Sequence, residues 1–134
     1  MSQFEYSLDQ IASVAQSLVA QLPSKAVVLL DAEMGTGKTT LISQILKQWG
    51  IHEVSSPTYS ICNVYRTSCG QTVHHYDLYR IKNVEELLEI GFQDLLETAD
   101  YHFIEWPALG QPFYESPITW QIRRDGDLRI LTIL

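Results

Sequence analysis

Apolar residues recur along the first part of the chain at two different periods. Phe4 and Tyr6 alternate with polar neighbours, the pattern of a short strand at a sheet edge. From Leu8 the period lengthens. Leu8, Ile11, Ala12, Ala15, Leu18, Val19 and Leu22 share one helical stripe, which predicts a helix over about 8–21. Ser7 and Gln10 match a capping box at its start, and Pro23-Ser24 breaks it. Ala26 to Leu30 is apolar on both faces, as in a buried parallel strand. A second helix follows from Lys38 to about Trp49 and stops at Gly50.

The remaining pattern alternates in the same way. Tyr59 to Arg66 and Thr72 to Asp77 read as two strands joined by a turn around Ser68 to Gly70. Asn83 is placed to cap a helix running through VEELLEI to Gly91, and FQDLLETA forms a second helical piece. Tyr101 to Glu105 is another buried strand, ending at Trp106-Pro107. Strands near 118–124 and 127–133 flank Asp125-Gly126, a favoured tight-turn pair. Strands alternating with helices give an α/β fold, with antiparallel additions at the edges. With 134 residues and no linker or repeat, one domain over 1–134 is expected.

Composition narrows the function. Hydrophobic residues make up 46%, enough for a real core. The formal net charge of -7 argues against a nucleic-acid surface, because duplex binding rests on Lys and Arg neutralising phosphates. Any RNA is therefore expected to be held by a partner. Two cysteines, Cys62 and Cys69, do not make a disulfide framework, and with His74 and His75 they fit no standard zinc spacing. The two histidines are adjacent on a strand and point to opposite faces. No signal peptide or membrane-length apolar run is present, so a cytoplasmic protein without a membrane role is expected.

The chemistry concentrates after the first buried strand. Ala32-Glu33-Met34-Gly35-Thr36-Gly37-Lys38-Thr39 matches the phosphate-loop pattern, except that alanine stands at the first glycine. That position turns the chain out of the strand, and alanine fits it at negative φ. In such a loop, backbone N–H groups and the following helix N-terminus face an anion. Lys38 reaches the outer phosphates, and the Thr39 hydroxyl ligates magnesium. Hydrolysis or transfer needs further groups at the carboxyl ends of strands. Asp77 and Glu105 close two such strands: one is expected to reach magnesium and the other to orient a water. Ser56-Pro57-Thr58 lies where switch segments sense a γ-phosphate. Trp106 is either a lid or base-stacking residue, or a core aromatic.

Together these residues resemble the TsaE family, formerly called YjeE, over nearly the whole chain. The resemblance rests on Glu33 to Thr40, Ser56-Pro57-Thr58-Tyr59, His75-Tyr76-Asp77-Leu78-Tyr79-Arg80 and Ile104-Glu105-Trp106-Pro107. It implies a P-loop NTPase-like three-layer fold with a central mixed, mostly parallel sheet and antiparallel edge strands. It implies a slow, partner-stimulated ATPase using ATP and magnesium. Glu33, Met34, Gly35, Thr36, Gly37, Lys38, Thr39, Thr40 and Trp106 would contact the nucleotide, and Thr39, Asp77 and Glu105 would form the metal site. Lys38, Thr58 and Glu105 would be catalytic, Glu105 as the base or water-positioning group. The implied partners are TsaD and TsaB, which modify adenosine 37 of tRNA to threonylcarbamoyladenosine, with tRNA reached only through them. Tyr79 and Arg80 could carry nucleotide state to that partner surface. Two other classes remain open: a small-molecule or nucleotide kinase, and a nucleotide-dependent interaction module without turnover. A GTPase is disfavoured because no Asn-Lys-x-Asp sequence is present.

Overall fold

The computed structural model describes residues 2–52 and 61–134. Among the described residues seven strands form one sheet: β1 (Ser2–Tyr6), β2 (Ala26–Ala32), β3 (Cys62–Arg66), β4 (Thr72–Asp77), β5 (Tyr101–Glu105), β6 (Ile118–Asp125) and β7 (Leu128–Ile133). Their spatial order is β1-β7-β6-β2-β5-β4-β3. The four central strands β6, β2, β5 and β4 run parallel, while β3 and the β1–β7 pair are added antiparallel at the two edges. This is the mixed sheet of a P-loop NTPase-like three-layer fold. The helices are α1 (Ile11–Gln21), α2 (Lys38–Gln48), α3 (Val84–Glu89) and α4 (Phe92–Leu95). Among the described residues no helix is long and apolar enough to cross a membrane.

Strand alternation divides the core between the two faces. Val28, Leu30, Phe103, Trp120 and Ile122 face one way and pack with Ile11, Leu18, Leu41 and Ile45 of α1 and α2. Leu29, Tyr76 and Ile104 face the other way and pack with Leu87 and Phe92 of α3 and α4. This second core holds a polar chain as well. Tyr76 Oη lies 2.9 Å from His74 Nδ1 and 2.8 Å from His102 Nδ1, and all three residues are buried.

Local chemistry sets most element ends. Gln10 Oε1 accepts from Ser7 N at 3.0 Å, the reach-back half of the capping box. The first turn behind it is a 3-10 helix over Leu8–Gln10, and the α-helix starts at Ile11. Asn83 Oδ1 caps α3 by accepting from Glu86 N at 3.0 Å. The piece FQDLLETA is shorter than its composition predicts, because only Phe92–Leu95 is α-helical before β5 begins. The C-terminal turn is displaced by one residue from the expected Asp125-Gly126. Asp125 pairs with Leu128, so Gly126 and Asp127 are the connecting residues. Gly126 has φ 61° and Asp127 is not in the positive region, which suits the mirror-image turn that needs glycine first.

Candidate functional site

Three parallel strands carry the polar groups to one edge of the sheet. β2 ends at Ala32, β4 at Asp77 and β5 at Glu105. Asp77 and Glu105 are register partners on neighbouring strands, so their side chains leave the same face side by side. The next strand places Leu30 opposite Glu105, and two residues later the chain leaves β2 for the loop. The sheet thus gathers two carboxylates and a glycine-containing loop at its carboxyl edge, where α/β sheets bind ligands.

The loop from Glu33 to Gly37 is held by its own chemistry. Gly35 and Gly37 adopt φ of 79° and 88°, the region that L side chains avoid, and Gly37 leads directly into α2. No neighbour crowds either glycine, so backbone conformation selects them rather than space. Ala32 keeps a negative φ within β2, which is why alanine is accepted where the pattern has glycine. Thr36 is buried, and its hydroxyl donates to the Glu33 carbonyl at 2.7 Å. Glu33, Met34 and Gly35 are exposed, Thr39 is half-buried at the start of α2, and Thr40 is exposed.

Lys38 is buried at the N-terminus of α2, folded back over the loop. Its Nζ donates to the Ala32 carbonyl at 2.8 Å and lies 3.8 Å from the centre of the Trp106 ring. Burial lowers its pKa, and the charges of Glu105, Asp77 and Asp31 oppose that shift. Trp106 reaches this place through an unusual backbone, with φ 55° in a non-glycine residue. Its ring also packs against Tyr79 at 5.0 Å between centroids. Trp106 is half-buried and lines the cleft beside the loop, outside the two core clusters.

Glu105 is nearly fully buried and hydrogen-bonds to His75, Nε2 to Oε2 at 2.5 Å. Asp77 is half-buried, and its Oδ1 accepts from Tyr79 N at 3.0 Å, closing a turn after β4. Thr58, with Ser56, Pro57 and Tyr59, lies outside the described residues. A cleft of about 920 Å³ opens beside the loop, lined by Glu33, Met34, Trp106, Gln121, Arg123 and Arg124 among others. That is the size of a small-molecule site.

Two contributions escape pattern reading. Arg129, from β7, is buried and donates from Nε to the Thr36 carbonyl at 3.0 Å. It is 93 residues away in sequence, in a segment that reads only as hairpin. Arg123 and Arg124 are exposed hairpin residues, as expected, but β6 also brings them to the cleft. For none of the three does sequence spacing carry a signal; the β2–β6 and β6–β7 pairings create the proximity.

The family model for the threonylcarbamoyl adenosine biosynthesis protein TsaE matches residues 6–130. The chain belongs to the TsaE family. Curated TsaE relatives agree. The protein of that name from Rickettsia felis is 32% identical over 112 residues, 82% of this chain and 64% of that protein. The one from Haemophilus influenzae is 38% identical over 100 residues, 72% of this chain and 62% of that protein. This chain thus spans less than two thirds of the length of these two TsaE relatives. A crystal structure of Bacillus subtilis YdiB superposes with a TM-score of 0.74 over 98% of this chain and 84% of that one, at 21% identity, and shares the fold.

Proposed function

We propose that this chain binds ATP with magnesium and hydrolyses it in support of threonylcarbamoyladenosine formation at adenosine 37 of tRNA. Turnover is slow alone and faster with the TsaB–TsaD pair, on which the protein acts to allow repeated cycles. The observation that carries the reading is the convergence of the positive-φ glycine loop, Lys38 at a helix N-terminus, and the paired carboxylates Asp77 and Glu105 at one sheet edge. Phosphoryl chemistry needs that set: donors for the phosphates, a cation, and carboxylates for metal and water.

Each group has a separate task. Backbone N–H groups from Gly35 to Thr39 and the N-terminus of α2 face the phosphates. Lys38 exchanges the Ala32 carbonyl and the Trp106 ring for an outer phosphate oxygen. Thr39 and Asp77 would hold magnesium, and Glu105, the register partner of Asp77, would share in its site. Magnesium supplies charge neutralisation on the phosphate oxygens when bound. Glu105 orients the attacking water, because it is the buried carboxylate and its position is fixed by a hydrogen bond. The net charge of -7 leaves RNA contact to the partners.

Arg123 and Arg124 on the cleft are the one observation favouring a kinase, since a second anionic substrate would meet them there. Calorimetric titration with ATP and magnesium, alongside a phosphate-release assay, separates the readings. Lys38→Ala should weaken ATP binding at least about tenfold. Glu105→Ala should keep binding while losing about 100-fold or more in turnover, the range for a lost water-orienting group. Turnover that survives Glu105→Ala, or that requires an added acceptor molecule, would contradict the ATPase reading.

A further inference from the structure

We propose that His75 is a positioning residue that fixes the carboxylate of Glu105 and thereby the direction in which it can act. The inference rests on reading Glu105 as the water-orienting group. It starts from the sheet. His74 and His75 are adjacent in β4 and serve opposite faces. His74 belongs to the Tyr76–His102 chain on the α3 and α4 side. His75 shares the other face with Asp77, and its register partner on β5 is Phe103. It therefore reaches diagonally forward to Glu105, two residues further along β5, where Nε2 and Oε2 lie 2.5 Å apart.

The hydrogen-bond inventory leaves the ring one partner. His75 is fully buried, and among the described residues its Nδ1 has no partner. The contact at Nε2 is therefore the one polar contact of the ring among the described residues, and towards a carboxylate oxygen it acts as donor. One carboxylate oxygen is committed to His75, and only the other is left for the site. The bond also supplies a competing partner against Lys38, whose charge acts on Glu105 across the same edge. Lys38 Nζ rests on the Ala32 carbonyl instead. A carboxylate swung towards Lys38 would lose its aim at water. His75 holds it back.

The test combines kinetics with histidine-ring NMR on the whole chain. His75→Phe keeps the buried volume but removes the donor; it should lower kcat for ATP by about 10–100-fold, the cost of losing an outer-shell partner. KM for ATP should stay within about threefold, because phosphate binding is untouched. His75→Gln, which retains an N–H donor, should recover part of kcat. In a Glu105→Gln background, His75→Phe should add nothing, since the two act as one unit. Unchanged kcat in both His75 variants, or a further loss in the Glu105→Gln background, would overturn the proposal. Wild-type turnover no greater than that of Lys38→Ala would instead mean that the ATPase reading has failed. The coupling is then decided by ring nitrogen shifts in the nucleotide-free protein. The proposal expects ring shifts that move in Glu105→Gln. Ring shifts that ignore Glu105→Gln would overturn it.

Discussion

At the residue scale, the site is built from groups whose local cost is met by distant contacts. Trp106 holds a left-handed backbone that costs on the order of 1–3 kcal/mol in a non-glycine residue. Its ring gains the ammonium of Lys38 and the face of Tyr79. Arg129 is the clearest case of distant support. It is a buried guanidinium whose Nε satisfies the Thr36 carbonyl inside the candidate phosphate loop. Replacing it by leucine leaves that carbonyl without its donor. Arg129→Leu should lower unfolding stability by about 1–3 kcal/mol in urea titration and weaken ATP binding, through a loosened loop. The placement of Lys38 at a helix start and of Asp77 and Glu105 at strand ends was legible in the sequence, because a phosphate-loop pattern and acids at strand ends are local signals. Arg129 and His75 were not assigned roles there. One sits in an ordinary hairpin and the other in a run of two histidines, and only strand register shows what each touches.

At the element scale, capping and turn chemistry account for where the chain changes direction. The helix boundaries near Ser7, Gly50 and Asn83 followed from residues that act within one turn. α3 is short, with a single fully buried residue, Leu87, so its cap contributes a large share of its stability. Asn83→Ala should destabilise the protein by about 1 kcal/mol, read as a shift of the urea midpoint without a change of slope. The terminal hairpin shows the limit of such reading. Asp125-Gly126 is a good turn pair in isolation, yet cross-strand pairing of β6 with β7 places Gly126 first and Asp127 second. Packing of Trp120, Ile122 and Leu131 sets the register, and the turn accommodates it. FQDLLETA was over-read for the same reason: its helical stripe competes with the need to enter β5 at Tyr101.

At the scale of the molecule, a parallel centre with antiparallel edges gathers the reactive groups on one side and a buried polar chain between the sheet and α3–α4. Burial lowers the pKa of His74, and burial, with His74 next, pushes that of His102 down to about 4. A histidine held below its ordinary value binds fewer protons folded than unfolded. Its stabilising contribution is therefore full above about pH 6.5 and declines as the pH falls towards 4. For His102 alone this amounts to about 2 kcal/mol between pH 7 and pH 5. Urea midpoints measured across that window should fall with pH, and His102→Phe should flatten the slope. The α/β class and the antiparallel edge additions followed from the alternation of strands and helices, whereas the strand order came only with the structure. So did the His74–Tyr76–His102 chain, since a histidine on a strand gives no sign of what lies opposite it.

The central claim is that this sheet edge is an ATPase site coupled to tRNA-modifying partners. Steady-state ATP hydrolysis by the purified protein, with Lys38→Ala as the blank, tests it most directly, with and without TsaB and TsaD from the same source. The account predicts slow turnover above the blank that rises when the pair is added. Turnover indistinguishable from Lys38→Ala, or unaffected by the partners, would contradict it.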